Sequence, residues 1–276
     1  MGWSAHTHSE AVLKVITLNL AHGRSDGPNQ MLQNTQSITD NLVQVADMFI
    51  RSDADLVALQ EADGISVWSG NFDHVGFLAE AAGYPYHRLA VNAQGRRFAY
   101  GTGLLSRYQI LETIKHTFER SPPTLTKGFI LGHIRTPFGE GRGIDVVSVH
   151  LDFLRAGVRA KQIDELVSMI SHRSHPTIVL GDLNSDWLAK KSAVRDLVQN
   201  HGLHAWQPKS SELGTFDDGE NRLDWILISP DLEFADYTVL PDVVSDHRAV
   251  VATIRMKNTA TRTNPVIAAG AVDVIN

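Results

Sequence analysis

Eight short apolar segments recur along the chain, and most of them are rich in Val, Ile and other β-branched residues. Segments of this kind predict β-strands. They cover residues 13–21, 54–61, 101–107, 128–136, 143–152, 177–184, 224–229 and 249–256. Several are apolar at consecutive positions, which indicates sheets buried on both faces. Helices are predicted between the strands, at about 30–51, 71–83, 155–172 and 187–201.

The first predicted helix has apolar residues spaced at about 3.6, with Thr39 or Asp40 as a candidate N-cap. The chain has 276 residues, of which 43% are hydrophobic, enough for one large core or two small ones. No change in composition marks an internal linker. We therefore predict one domain over 13–256, an N-terminal extension over 1–12 and a flexible C-terminal tail over 257–276.

Polar side chains stand at the ends of the predicted strands. The set comprises Asn19, Glu61, His150, Asp152, Asp182, Asn184, Asp224, Asp246 and His247. Any one Asp or Asn at a strand end is most often a turn or cap residue. A buried and unpaired carboxylate is costly, however, so a whole set of them needs a common explanation. Convergence on one cleft supplies it.

Composition excludes several kinds of site. The chain has no Cys, which rules out disulfides and thiolate metal sites, and its thirteen His residues include no HExxH motif. No apolar run approaches the ~20 residues of a membrane-spanning helix. The first ten residues lack the apolar core of a signal peptide, which favours a cytoplasmic location. A mature secreted or periplasmic form would have the same sequence.

The motifs LNLAHG, LQE, GTGLLSR, VHLD, GDLN, RLDWIL and SDHRAV follow one another along the chain. In this order they resemble the endonuclease/exonuclease/phosphatase superfamily, which includes deoxyribonuclease I. VHLD followed by RAKQIDEL looks most like the bacterial metal-dependent hydrolase branch. The resemblance implies an α/β fold, a four-layered α/β sandwich of two packed mixed β-sheets flanked by helices. It also implies a phosphoric ester hydrolase that requires Mg²⁺ or Mn²⁺.

The resemblance further implies a role for each strand-end residue. Glu61 would be the principal metal ligand, with Asn19 beside it and Asp246 contributing. Asp182 would orient or deprotonate the attacking water, and Asn184 would bind a phosphate oxygen.

The two histidines would complete the site. His247 would contact the scissile phosphate while Asp224 holds its other ring nitrogen. His150 would be the second phosphate-facing histidine, as general acid or charge stabiliser. Asp152 could belong to the site or cap a turn.

The substrate is less sharply indicated by the sequence. Arg96 and Arg97 could grip a phosphate or head group, or form a solvated pair in a loop. Lys plus Arg number 25 against 31 Asp plus Glu, so the chain lacks the basic excess typical of duplex-binding proteins. We therefore expect a small-molecule or lipid-head-group ester. A DNA or RNA nuclease is the alternative, followed by a non-catalytic binding protein on the same fold.

Overall fold

The computed structural model describes residues 12–25, 34–137, 141 and 143–257. The strands within these ranges are β1 (Val12–Asn19), β2 (Leu56–Asp63), β3 (Tyr86–Gln94), β4 (Ala99–Ser106), β5 (Ile110–Thr117), β6 (Gly128–Ile134), β7 (Ile144–His150), β8 (Thr177–Asp182), β9 (His204–Ala205), β10 (Asp224–Ile228), β11 (Leu232–Val239) and β12 (Val250–Met256). The helices are α1 (Thr35–Ser52), α2 (His74–Ala82), α3 (Ala156–Ile170) and α4 (Ala193–Gln199).

The strands form two mixed six-stranded sheets with helices on their outer faces. The first sheet has the order β11-β12-β1-β2-β4-β3 and the second has β5-β6-β7-β8-β10-β9. Apolar side chains such as Val15 and Val146 fill the space between the sheets. Helices α1 and α2 cover the outer face of the first sheet, and α3 and α4 cover that of the second. The predicted four-layered α/β sandwich is confirmed.

The topology brings the polar strand ends to one end of the sandwich. Strand β1 runs parallel to β2, and β7 runs parallel to β8, so their carboxyl ends lie together in pairs. The neighbouring antiparallel strands β6 and β10 begin at that same end, where Gly128 pairs with His150 and Asp224 with Asp182. A hydrogen bond from Asn19 Nδ2 to Asp182 Oδ2 joins the two sheets there, at 3.0 Å.

All eight predicted strands are present, with no end shifted by more than two residues, but β3, β5, β9 and β11 were not predicted. Strands β3, β5 and β11 carry many half-exposed or exposed side chains, so their apolar pattern is weak. The predicted helix over 187–201 is also wrong in its first part, because α4 begins only at Ala193 after a capping Ser192.

The predicted caps of the first helix are likewise wrong. Asn34 is the N-cap, and its side chain accepts a hydrogen bond from Ser37 N at 2.8 Å. Thr39 and Asp40 already lie within the helix, where backbone N–H groups have partners one turn earlier. The predicted N-terminal extension and C-terminal tail fall outside the described residues, except at their boundary residues Val12 and Lys257.

Candidate active site

Strand β8 ends at the floor of a cleft. Gly181 precedes the final residue, with φ of +149°, and a Cβ there would lie 1.9 Å from the carbonyl oxygen of Val149. Only glycine therefore lets β7 and β8 approach this closely. Asp182 follows, and its Oδ1 accepts a hydrogen bond from Asn184 N at 2.9 Å. Asn184 has a left-handed backbone and lies beyond the end of the strand. A turn therefore places its side chain, whereas the alternation of side chains along a strand had been expected to do so.

The Oδ2 atom of Asp182 is surrounded by donors from both sheets. Asn19 Nδ2 lies 3.0 Å away, His150 Nε2 3.3 Å and His247 Nε2 3.9 Å. Burial raises the pKa of Asp182, and the nearby carboxylate of Asp224 acts in the same direction, against the lowering effect of His247. A carboxyl group with a raised pKa is a stronger base when ionised, which suits it to accept a proton from water.

His247 and Asp224 form a buried pair behind the cleft. Nδ1 of His247 lies 2.8 Å from Oδ2 of Asp224, which also accepts a hydrogen bond from Thr215 Oγ1 at 2.7 Å. Burial opposes the charged imidazole, but the attraction of Asp224 prevails and raises the pKa of His247 to about 10. His247 therefore turns Nε2 toward the cleft and carries positive charge at neutral pH.

Glu61 sits in an irregular part of β2, with φ of +47° at a shift in the pairing with β4. Its Oε1 accepts a hydrogen bond from Lys127 Nζ at 3.1 Å, and its Oε2 lies 3.5 Å from His22 Nε2. Burial alone would raise the pKa of Glu61, but the positive charge of Lys127 lowers it. Glu61 is therefore an anion held in a strained backbone, a combination often found at functional sites.

Lys127 also orders His150. Its Nζ lies 3.4 Å from His150 Nδ1, which leaves the Nε2 proton of the imidazole directed at Asp182. Burial and the charge of Lys127 hold the pKa of His150 well below its usual value. His150 is therefore neutral, in contrast to His247.

The cleft has a volume of about 540 Å³. Its lining includes most of the predicted residues: Asn19, Glu61, His150, Asp182, Asn184, Asp246 and His247. Asp246 is ion-paired with Arg24 at the rim of the cleft. Asp224 lies behind His247, as expected for a residue that holds the imidazole.

Three predicted candidates lie elsewhere. Arg96 and Arg97 are exposed in the β3–β4 turn and are not among the described residues that line the cleft. Asp152 has a local structural role, because its Oδ1 accepts hydrogen bonds from Leu154 N and Arg155 N just before α3.

The sequence interpretation overlooked His22 and Arg24, which also line the cleft. His22 belongs to the LNLAHG motif, and Asp63, its hydrogen-bond partner, follows Glu61 by two residues. Both residues therefore lie in or next to motifs that the sequence showed. Only the fold, however, shows that the LNLAHG segment contacts the segment that follows Glu61.

The residues present fit a divalent cation. Five carboxylates lie in or directly behind the cleft: Glu61, Asp63, Asp182, Asp224 and Asp246. They outnumber the permanent positive charges in the cleft lining, which are those of Lys127 and Arg24. Oδ2 of Asp63 and Oδ1 of Asp224 are buried without a hydrogen-bond partner. This excess of oxygen donors is the environment that hard divalent ions require.

Comparison with known proteins agrees with this geometry. The family model described as Endonuclease/Exonuclease/phosphatase family matches residues 16–247. The chain belongs to this family. Its members hydrolyse phosphoesters, generally with a divalent metal. A search of curated proteins finds no match.

Solved structures show the same fold at low sequence identity. A family member from Leptotrichia buccalis superposes with a TM-score of 0.70 at 19% identity, over 88% of this chain and 100% of that one. Mannosyl-6-phosphatase Bt3783 from Bacteroides thetaiotaomicron gives 0.65 at 18%, over 88% and 99%. A humanized TDP2 from D. rerio gives 0.63 at 17%, over 89% and 99%.

Proposed function

We propose that the protein is a divalent-metal-dependent phosphoric ester hydrolase that uses in-line attack by an activated water. The observation that carries this proposal is the convergence of Asp182, His150 and the His247–Asp224 pair on one cleft that also contains Glu61. A base, hydrogen-bond donors for phosphate oxygens and an anionic metal site are the elements that phosphoester hydrolysis needs.

Each residue has a role that follows from its contacts. Asp182 accepts the proton of the attacking water. Cationic His247 donates from Nε2 to a phosphate oxygen, while Asp224 fixes the ring. Neutral His150 donates a hydrogen bond and is better suited to charge stabilisation than to supplying a full proton.

Glu61, Asn19 and Asp246 would hold Mg²⁺ or Mn²⁺, as the family resemblance implies. When bound, the ion would neutralise charge on the phosphoryl group. Asn184 lines the cleft, but its Nδ2 already donates to Leu151 O at 3.1 Å, so a phosphate contact would have to share or replace that bond. Arg96 and Arg97 could contribute only to the outer part of a larger substrate, because they lie outside the cleft lining.

Exposed apolar side chains around the cleft favour a substrate with an apolar part. Twelve large hydrophobic side chains are exposed among the described residues, and seven of them occupy loops at the active-site end. We call these seven the apolar rim: Ile65, Val67, Leu125, Phe153, Leu154, Leu188 and Val243. Phe153 also lines the cleft. Groups of exposed apolar residues commonly mark binding surfaces.

The apolar rim and the formal net charge of −6 together favour a lipid head group or a small ester over duplex DNA. Binding of duplex DNA depends on several cations that replace phosphate counterions. The similarity in fold to a mannosyl-6-phosphatase supports the class of phosphate esters without specifying the substrate.

The test is a panel of substrates assayed with added Mg²⁺ or Mn²⁺. It should contain bis-p-nitrophenyl phosphate, sugar and inositol phosphates, sphingomyelin, RNA and supercoiled plasmid. We expect the highest kcat/KM on a small or lipid phosphoester. Efficient plasmid nicking that falls steeply with salt would instead establish the nuclease alternative. No turnover of any member would favour a binding protein on this fold.

A further inference from the structure

His22 is held in one orientation at the wall of the cleft. It lies in the short 3-10 turn Ala21–Gly23 directly after β1, with a left-handed backbone at φ of +59°. Its ring packs edge-on against Tyr100 and Trp68, with centroid distances of 4.6 and 5.9 Å. A left-handed backbone is unfavourable for a residue other than glycine, so the rest of the fold must impose this position.

The buried carboxylate of Asp63 determines which ring nitrogen of His22 faces the cleft. Oδ1 of Asp63 lies 2.9 Å from Nδ1 of His22, so the Nδ1 proton is donated to Asp63. In the neutral imidazole, Nε2 then has a free lone pair. A histidine that binds a metal ion through one ring nitrogen commonly donates a hydrogen bond to a carboxylate from the other. The carboxylate fixes the tautomer and increases the basicity of the nitrogen that binds the metal.

The free side of His22 points at Glu61. Nε2 lies 3.5 Å from Oε2 of Glu61, while Lys127 binds the other carboxylate oxygen. Two ligand atoms, each about 2.1 Å from a common ion, are separated by roughly 3.0–3.5 Å in octahedral or tetrahedral geometry. The two atoms are therefore spaced as neighbouring ligands of one cation.

We infer that His22 is a ligand of the divalent ion held by Glu61, through Nε2, with Asp63 as its supporting carboxylate. Imidazole is a poor ligand for Mg²⁺ and a good one for transition metals. The site should therefore prefer Mn²⁺ or another first-row transition ion to Mg²⁺. This inference rests on the proposed function only in requiring a divalent ion at Glu61.

Mn²⁺ binding tests the inference without reference to catalysis. The loss of the free Mn²⁺ signal in electron paramagnetic resonance gives the affinity, and pulsed measurements on the bound ion detect coupling to a ligand ¹⁴N nucleus. We expect ¹⁴N coupling in the wild-type protein and its loss in His22→Asn and His22→Gln, with affinity at least tenfold weaker. Asp63→Asn should retain the coupling but weaken Mn²⁺ binding by about 10- to 100-fold.

Two further variants make the test specific. His22→Asp replaces nitrogen with oxygen, so it should bind Mn²⁺ without ¹⁴N coupling and shift preference toward Mg²⁺ in competition. His172→Asn changes an exposed histidine after α3 and should leave both affinity and coupling unchanged. Thermal unfolding of each variant identifies any that fail to fold. If His22→Asn and His22→Gln do not fold, His22→Asp tests the loss of ¹⁴N coupling in their place.

The outcomes separate this inference from the proposed function. Bound Mn²⁺ without ¹⁴N coupling, or coupling that persists in folded His22→Asn and His22→Asp, would overturn the role of His22 and leave the hydrolase proposal intact. Failure of the wild-type protein to bind Mn²⁺ would overturn the His22 ligand, and failure to bind Mg²⁺ as well would also overturn the metal requirement. Tight, ¹⁴N-coupled Mn²⁺ with no turnover of any phosphoester would overturn the hydrolase proposal alone.

Discussion

Nδ1 of His247 lies 2.8 Å from Oδ2 of Asp224, and both side chains are buried at the base of the cleft. The two residues come from different places in the chain: Asp224 begins β10, and His247 lies in the loop before β12. Thr215 holds the same carboxylate oxygen, so the position of Asp224 is itself supported. The imidazole consequently has one orientation, with Nε2 facing Asp182.

We predict that His247 and Asp224 act as a unit. His247→Ala should lower kcat by roughly 10²–10⁴-fold, the range for a positioned acid–base group. Asp224→Asn should act in the same direction, because an amide cannot stabilise the imidazolium. The double variant should lose little more than His247→Ala alone. Steady-state kinetics on folded protein checks this, and losses that multiply fully would show that the residues act independently.

We predict that activity requires a divalent ion bound through Glu61. EDTA should abolish turnover, and Mg²⁺ or Mn²⁺ should restore it. Glu61→Gln removes the anionic ligand at similar volume, so it should raise the metal concentration needed for half-maximal activity by tenfold or more. Glu80→Gln, an exposed change on α2, is the matched control and should behave as wild type. Full activity in metal-free protein would contradict the prediction.

We predict that Phe153 contributes to binding of lipid substrates. Its side chain is 60% exposed at the mouth of the cleft. Phe153→Ser should lower kcat/KM on vesicle-bound phosphodiesters by about tenfold, because burial of a Phe side chain contributes about 1.5–3 kcal/mol. Activity on bis-p-nitrophenyl phosphate should change much less.

The control for Phe153 is Ile50→Ser, which removes a similarly exposed apolar side chain from α1. It should leave both activities unchanged. Equal losses on both substrates in Phe153→Ser would mean that this residue shapes the cleft and does not bind lipid.

We predict a pH-dependent contribution to stability from Asp145, at the opposite end of the second sheet. Asp145 is buried, and its Oδ1 lies 2.8 Å from His133 Nδ1 and 3.1 Å from Arg173 Nη2. Burial alone would raise the pKa of Asp145, but hydrogen bonds from Arg173 and His133 lower it. A lowered pKa stabilises the fold above the unfolded-state value near 3.8, and the contribution is lost as pH falls through the folded-state pKa.

Asp145→Asn should therefore destabilise the protein by about 2 kcal/mol at pH 7, the scale of a hydrogen bond to a charged group. The difference from wild type should shrink below about pH 4, measured by urea unfolding across pH. Asp164→Asn, an exposed change on α3, is the control. A difference that stays constant down to pH 2 would contradict the charge-based explanation.

The same contacts argue against a second metal centre at this end. One ligand atom from each of His133, Asp145 and His175 lies within 4.8 Å of the others. Both oxygens of Asp145 are, however, already bonded by the guanidinium of Arg173. A permanent cation in bidentate contact with the only carboxylate excludes a second cation from the same position.

The strands with apolar runs, and the polar residues at their ends, could be predicted from local sequence. An apolar run such as the one in 177–182 is stable in water only when it is buried, so the local sequence is enough to predict the strand and the Asp182 that ends it. The motif order indicated the family, and the family implied the four-layered fold. Strands β3, β5 and β11 escaped prediction because their mixed exposure leaves little local pattern.

Which polar residues share the cleft, and which side chains hold them in place, depends on how the two sheets pack. The neighbours of Glu61 come from positions 39 residues earlier and 66 residues later in the chain, at His22 and Lys127. Arg96 and Arg97 carry the same charge as Lys127 but end in an exposed turn. Local sequence encodes the charge of a side chain, whereas its partners depend on how the two sheets pack, because contacts between distant segments form only when the sandwich closes.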